Sequence, residues 1–278
     1  MSSRASEIGP DAAGMPPSEE PTSATSIEAG LPGRWTDLQE GVGRILSECG
    51  LDVGINYPLS LARGTVNVDV YAYDGTMSPE STTIVECKLW RRRVPKQAVH
   101  AFRTVVSDAG ASVGLLVSAA GFQRGAMEAV EHTSVRLVNW VQFQELYALR
   151  WFRTFFAPTL RSEAGALVEY TEPINTRIFQ KVDRLPPEGQ VAFRGLREHY
   201  SDLGTAFILL LYQLPDGPDI RDTPVLPSLP LRRLFRSSEP RLPDDVLDAT
   251  ALRTLLDLLI GHFRKATAEF DAVFGERA

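Results

Sequence analysis

Cysteine, histidine and long apolar runs are all scarce in this chain, and each scarcity removes a class of function. Cys49 and Cys87 are the only cysteines in 278 residues, too few for a disulfide framework and too far apart for a CxxC metal knuckle. Zinc-finger classes are excluded, and two isolated thiols fit a reducing compartment. The four histidines, His100, His132, His199 and His262, stand at no metal-ligand spacing, and no GxSxG, Walker A, GxGxxG or HExxH pattern occurs, so an NTP-driven motor is not expected. The longest apolar run, Ala206 to Tyr212, falls far short of the ~20 residues that cross a bilayer. The N-terminus carries acids rather than an export signal. These features predict a cytoplasmic protein with no membrane partner. A basic excess is missing too: 29 Lys and Arg face 35 Asp and Glu, for a net charge of −6, which excludes a protein that coats nucleic acid non-specifically.

Residues 1–30 are rich in Ser, Pro, Gly and acid with few large apolar side chains, so they read as a disordered acidic tail. From Trp35 the spacing of Trp35, Leu38, Val42, Ile45, Leu46 and Cys49 predicts an amphipathic helix closed by Gly50. Val66–Tyr73 and Thr82–Leu89 are rich in Val, Ile, Thr and Tyr and are separated by the turn-forming Asp-Gly-Thr-Met-Ser-Pro-Glu-Ser, which predicts an antiparallel hairpin. A helix over Lys96–Ala109, a buried strand over Val113–Ser118, a helix over Phe122–Glu131, a strand over Arg136–Trp140 and a further helix from Val141 follow. Residues 31–150 are therefore expected to form an α/β domain with a mixed central sheet flanked by helices, and residues 151–278 a mainly α-helical region broken by proline-rich loops. In the last helix Leu252, Leu256, Leu259, Phe263, Ala266, Phe270 and Val273 form a heptad-like stripe. Such a stripe is more often core than a dimer seam, and both uses stay open here.

The chemistry sits on the hairpin. Side chains alternate along a strand, so in Ile84-Val85-Glu86-Cys87-Lys88-Leu89 the residues Glu86 and Lys88 share one side. In Val66-Asn67-Val68-Asp69-Val70 the same alternation puts Asn67 and Asp69 on a polar face with the valines opposite. Pairing then sets Asp69 beside Glu86 and Lys88. Two carboxylates and an ammonium, with the Cys87 backbone carbonyl as a further ligand, make an oxygen-rich site suited to hydrated Mg²⁺. Such an ion supports phosphodiester hydrolysis, with Lys88 positioning water or offsetting developing charge.

The order of these motifs from Trp35 to Leu149 resembles the Mrr-like restriction endonuclease family of the PD-(D/E)xK nuclease superfamily: Ile-Leu-Ser-Glu-Cys-Gly-Leu, Val-Asn-Val-Asp-Val, Val-Glu-Cys-Lys-Leu-Trp and Gly-Leu-Leu-Val-Ser-Ala-Ala-Gly-Phe. The resemblance implies a restriction-endonuclease-like fold in which Asp69 and Glu86 bind metal and Lys88 is the catalytic lysine. It implies a further glutamate on the first helix, for which Glu40 is the candidate and Gln39 aligns as well. A glutamine on the helix after the ExK strand corresponds to Gln97. The chain departs from the family's glycine-rich Asp-Gly-Gly-Ile-Asp, because Arg63-Gly64-Thr65-Val66-Asn67-Val68-Asp69 keeps one glycine.

Arg91, Arg92, Arg93 and Lys96 follow the ExK strand directly and are expected to contact phosphates without reading sequence. Trp90 is expected to pack on the following helix, with stacking on a base as the alternative. The expected activity is a Mg²⁺-dependent DNA endonuclease, Mn²⁺ substituting, in bacterial defence. The helical C-terminal region would supply dimerisation, specificity or contact with a defence-system partner. The competing reading is a nuclease-fold subunit that binds DNA and assembles a complex without cutting.

Overall fold

The structure, a computed structural model of the chain, describes residues 26–61, 64–212, 226–233 and 242–275. Helix α1 (Trp35–Glu48) buries Leu38, Val42, Ile45 and Leu46 completely. It ends at Gly50, whose φ of +80° is the left-handed conformation that glycine adopts without steric cost. Three antiparallel strands follow, β1 (Asp52–Leu61), β2 (Gly64–Asp74) and β3 (Ser81–Lys88). Helix α2 (Lys96–Asp108) then crosses to the parallel strand β4 (Val113–Ser118), and the short helix α3 (Arg124–Glu128) leads to β5 (Val135–Asn139), also parallel. The sheet order is β1-β2-β3-β4-β5. This is the expected mixed sheet with helices on both faces.

One face carries Val70, Ala72, Val85, Cys87, Leu115 and Val117 against α1 and α4 (Trp140–Trp151). The other carries Val68, Ile84, Leu116 and Val135 against Val99, Phe102 and Val106 of α2. Gly114 lets α2 approach closely, since a Cβ there would lie 2.5 Å from Val106 Cγ2. The helix expected over Phe122–Glu131 is only five residues long, because Phe122 instead bridges to Val94.

Strand β1 falls in a stretch with no strand signal of its own. As an edge strand it is exposed along much of its length and lacks alternation, and it tolerates Pro58, as edge strands do.

Several expectations are corrected. The tail boundary at residue 30 is too late: residues 1–25 lie outside the described residues, but Ile27 is fully buried. The carbonyls of Ser26 and Ile27 accept the N–H groups of Leu252 and Arg253 at 2.9 and 2.8 Å. Nor does the chain break at residue 150. Helix α4 continues through a π-helical turn, Phe152–Phe156, into α5 (Ala157–Thr171), and a single hydrophobic cluster joins the sheet to the C-terminal helices. These include α6 (Thr176–Val182), α7 (Pro187–Tyr212), α8 (Asp244–Leu247) and α9 (Leu252–Phe274). On α9 the stripe residues Leu252, Leu256, Leu259, Phe263, Ala266 and Phe270 are all buried within the chain, where Phe270 stacks on Tyr170 of α5 at 4.7 Å. Val273, the last residue of the stripe, is half-buried and packs against the same cluster, so the stripe serves as core. The proline-rich loop expected over Leu214–Pro230 lies outside the described residues up to residue 225.

Two arginines fasten the layers. Arg253 of α9 bridges Glu48 of α1 and Glu28 of the N-terminal segment, and its guanidinium lies over Trp151, 5.2 Å from the ring centroid. Trp151 itself donates its indole N–H to Glu48 Oε2 at 2.6 Å. Arg150 donates to the Cys49 carbonyl at 2.7 Å and pairs with Asp74 at the end of β2, whose other oxygen takes the Thr76 N–H and hydroxyl. The Arg150 bond, followed by the Thr76 bonds, holds the Asp74 carboxyl down at about 2, against an ordinary 3.8. A depressed carboxyl contributes stability that is present above pH ~4 and lost as the pH falls towards the folded-state value. In urea unfolding at pH 7, Asp74→Asn is expected to cost about 2 kcal/mol, and its gap to the wild type should narrow between pH 4 and 2.

Candidate active site

The β2–β3 ladder runs from Asp74↔Ser81 to Val70↔Val85 and stops there. One residue further on, β2 also loses a pairing with β1, where the register passes from Ile55↔Val70 to Tyr57↔Val68 and skips Asn56 and Asp69. Asn56 is left-handed at φ +50°, a conformation that asparagine tolerates better than most residues. Asp69 therefore stands where β2 parts from β3 and skips one rung with β1, the β1–β2 ladder resuming at Tyr57↔Val68. The pleat breaks at the same point: Val70 packs on the α1 side and Val68 on the α2 side, so the valines do not share one face as simple alternation predicts.

The gap that opens is filled by side chains. Asp69 Oδ2 accepts the backbone N–H of Cys87 at 2.6 Å. This fixes the carboxylate against the strand that bears Glu86 and Lys88. Those two project from β3 on the side of Ile84, as alternation requires, and form an ion pair with both side chains about three-quarters buried. Asp69, Glu86 and Lys88, expected to meet, are brought together.

Electrostatics mark the same spot. Burial pushes the Asp69 carboxyl up to about 6; the Cys87 N–H and Lys88 oppose this, and the neighbouring Glu86 charge adds to it. Burial, together with the charges of Asp69 and Glu86, also holds the Cys87 thiol well above its ordinary value. Its sulfur is a neutral core group, so only its carbonyl is available as a ligand. That carbonyl already accepts the Trp35 indole N–H at 3.0 Å. Trp35, expected in the apolar stripe of α1, is instead 42% exposed at the rim of the site. Trp90, expected to pack on α2, is similarly exposed, and its ring lies 5.3 Å from Lys88 Nζ.

On α1 the group facing Asp69 is Gln39 rather than Glu40. Gln39 is buried, and its Nε2 donates to the Asp69 carbonyl and to Asn56 Oδ1, both at 2.9 Å, whereas Glu40 is exposed. Helical spacing was the available signal, since Gln39 lies three and seven residues before the buried Val42 and Leu46.

Arg91, Arg92, Arg93 and Lys96 are exposed, and none forms an ion pair with another described residue. Their loop is clamped behind them: Val94 N–H donates to Gly121 O at 2.9 Å, and Val94 O accepts Gln123 N–H at 3.0 Å. Gln97, in the first turn of α2, is exposed and makes no side-chain hydrogen bond to a described residue. No three His, Cys, Asp or Glu side chains gather as a metal cluster among the described residues. The donor set for a cation here is two carboxylates and a carbonyl, which suits a hard ion that keeps several waters.

Residues 34–147 match the family model Mrr_cat, described as a restriction endonuclease. This segment is similar to a restriction endonuclease domain. It occupies less than half of the chain, and domains of the family are generally divalent-metal dependent. Among solved structures, a protein of unknown function, AF1548, is similar at 14% identity over 86% of this chain and 98% of its own, with a TM-score of 0.33. The MspJI restriction endonuclease, solved with a 27-mer oligonucleotide, is similar at 17% identity over 44% of this chain and 29% of its own, with a TM-score of 0.28. The DNA modification-dependent restriction endonuclease AspBHI is similar at 17% identity over 50% and 42%, with a TM-score of 0.26. The chain thus spans well under half the length of these two enzymes. No curated protein matches it. No described helix is long and apolar enough to cross a membrane.

A buried carboxyl raised above its ordinary 3.8 favours the folded state only while protonated. The contribution of Asp69 to stability is therefore lost as the pH rises from its ordinary 3.8 to about 6. In EDTA at pH 7.5, Asp69→Asn is expected to melt a few degrees above the wild type in thermal unfolding, with the difference closing near pH 4.

Proposed function

We propose that the chain is a Mg²⁺-dependent DNA endonuclease, with Mn²⁺ able to substitute, acting in bacterial defence against foreign DNA. The observation that carries this reading is the meeting of Asp69, Glu86 and Lys88 where β2 parts from β3, inside the segment that matches the restriction endonuclease family. Asp69 and Glu86 would hold the ion, with the remaining lone pair of the Cys87 carbonyl and waters completing the shell. When bound, the ion supplies stabilisation of charge on the phosphate and a lowered pKa for a coordinated water.

The chain's own residues do the rest. The Asp69 carboxylate is kept in place by the Cys87 N–H, so it need not reorganise as the reaction proceeds. Lys88, paired with Glu86 and lying by the Trp90 ring, stands ready to orient the attacking water or to donate to the departing oxygen. Arg91, Arg92, Arg93 and Lys96, which pair with no acid among the described residues, offer positive charge for backbone phosphates and would position a duplex without reading bases. Gln97, at the start of α2, would reach the same phosphates. Residues 31–150 form the nuclease unit. Residues 151–278 buttress it and would use their outer faces for specificity or for a defence-system partner. One such site cuts one strand, so a double-strand cut calls for two copies of the chain.

Incubation with plasmid and linear DNA, methylated and unmethylated, in Mg²⁺, Mn²⁺ or EDTA tests the reading. Cleavage is expected with either ion and not with EDTA. Asp69→Ala and Lys88→Ala should retain DNA binding and cut about a hundredfold more slowly or worse. Variants that cut as fast as the wild type would overturn the assignment. A wild type that binds DNA and cuts under none of these conditions would favour an assembly subunit.

A further inference from the structure

A buried amide on the apolar face of a helix costs free energy unless each of its polar atoms is matched. Gln39 is such a residue: it is 2% exposed, between Leu38 and the fully buried Val42 on the face of α1 that packs on the sheet. Both of its contacts go to one place. The Nε2 group donates to the Asp69 carbonyl and to Asn56 Oδ1, the two residues that the β1–β2 register skips. A regular ladder would satisfy a strand carbonyl with a neighbouring backbone N–H. At Asp69 that role has passed to a side chain on a different element.

Two bonds of its own then define the Asp69 residue between paired neighbours. Its carbonyl is held by Gln39 and its carboxylate by the Cys87 N–H, while Val70 is paired with Ile55 and Val85 and Val68 with Tyr57. Removing the first would leave the Asp69 carbonyl unpaired at the one rung that β1 and β2 skip and where β3 no longer pairs, so that the peptide could tilt between Val68 and Val70 and turn the carboxylate away from Glu86. We propose that Gln39 is a positioning residue. It locks β2 at its point of divergence and so aims Asp69 at the cation site, without itself being a ligand. Glu40, one residue on and exposed, has no part in this.

The inference rests on the metal-dependent reading of the site, and its test is cation binding by the full chain without DNA, measured by titration calorimetry with Mn²⁺. Gln39→Met keeps the length and apolar packing of the side chain but removes both donated bonds, and should weaken Mn²⁺ binding tenfold or more. Gln39→Asn, too short to span Asn56 and Asp69 together, should weaken it severalfold, and it stands in if the methionine variant does not fold. Val42→Ala, one turn further along the same buried face, should lower the melting temperature while keeping the wild-type Mn²⁺ affinity. Wild-type affinity in both Gln39 variants, or an equal loss in Val42→Ala, would overturn the positioning role and leave the metal site standing. A wild type that binds no Mn²⁺ would overturn both.

Discussion

The parting of β2 from β3 after Val70↔Val85 is the constraint on which the site depends. Two antiparallel strands that stayed paired would place Asp69 and Glu86 side by side with their backbone groups spent on each other. Parting frees the Cys87 N–H, and the Asp69 carboxylate takes it at 2.6 Å. A buried N–H left without a partner costs on the order of 1–3 kcal/mol, so this bond removes a penalty as well as fixing a direction. The same parting makes room on the Ile84 side of the sheet, where Glu86 and Lys88 stand as a pair. It also frees the Cys87 carbonyl, which Trp35 caps from the start of α1. Each site residue is thus held through a backbone group of a strand end, and the strand ends are held by the sheet behind them.

That sheet is in turn packed against what lies beyond the family-matched segment. Helix α1 touches the site through Trp35 and Gln39 and the C-terminal helices through Glu48, whose carboxylate takes both Arg253 and the Trp151 indole. Glu28, before α1, joins the same network through Arg253 and Arg44. A charged group this far from water is stable only when its partners are complete, so the N-terminal segment, α1, α4 and α9 are mutually dependent. The continuous helix from Trp140 through the π-helical turn carries that dependence across residue 150. The C-terminal region is a buttress before it is anything else.

How much of this could be read in the residues follows the same physics. Strand β3 was legible because its alternation is undisturbed: Val85 and Cys87 inward to α1, Glu86 and Lys88 to the other face. Helices α1, α2 and α4 were legible because each buries one stripe. Asp69 was legible as a residue but not in its surroundings, since the break in the pleat depends on a left-handed Asn56 in an edge strand that offers no alternating pattern. The choice between Gln39 and Glu40 was open in sequence because charge favours the acid and helical spacing favours the amide. Burial decided for spacing. The boundary at residue 150 rests on a change in composition, and the composition carries no sign that Trp151, Phe152 and Phe156 continue one apolar face into α5. The α9 stripe, left between core and seam, became core once α5 and α7 covered it.

Net charge is the remaining tension, since a chain at −6 is a poor match for a polyanion. Position resolves it. Many arginines elsewhere are spent on acids: Arg34 on Asp37, Arg44 on Glu28, Arg150 on Asp74, Arg232 on Asp244 and Asp248, Arg264 on Glu163. Each such pair is nearly silent beyond a Debye length of about 8 Å at physiological salt. Arg91, Arg92, Arg93 and Lys96 have no such partner among the described residues, and the clamp at Val94 keeps them next to Lys88 instead of trailing into solvent. On the proposed reading, a phosphate approaching this end of the sheet would meet these four cations, which follow directly on the strand that bears Glu86 and Lys88.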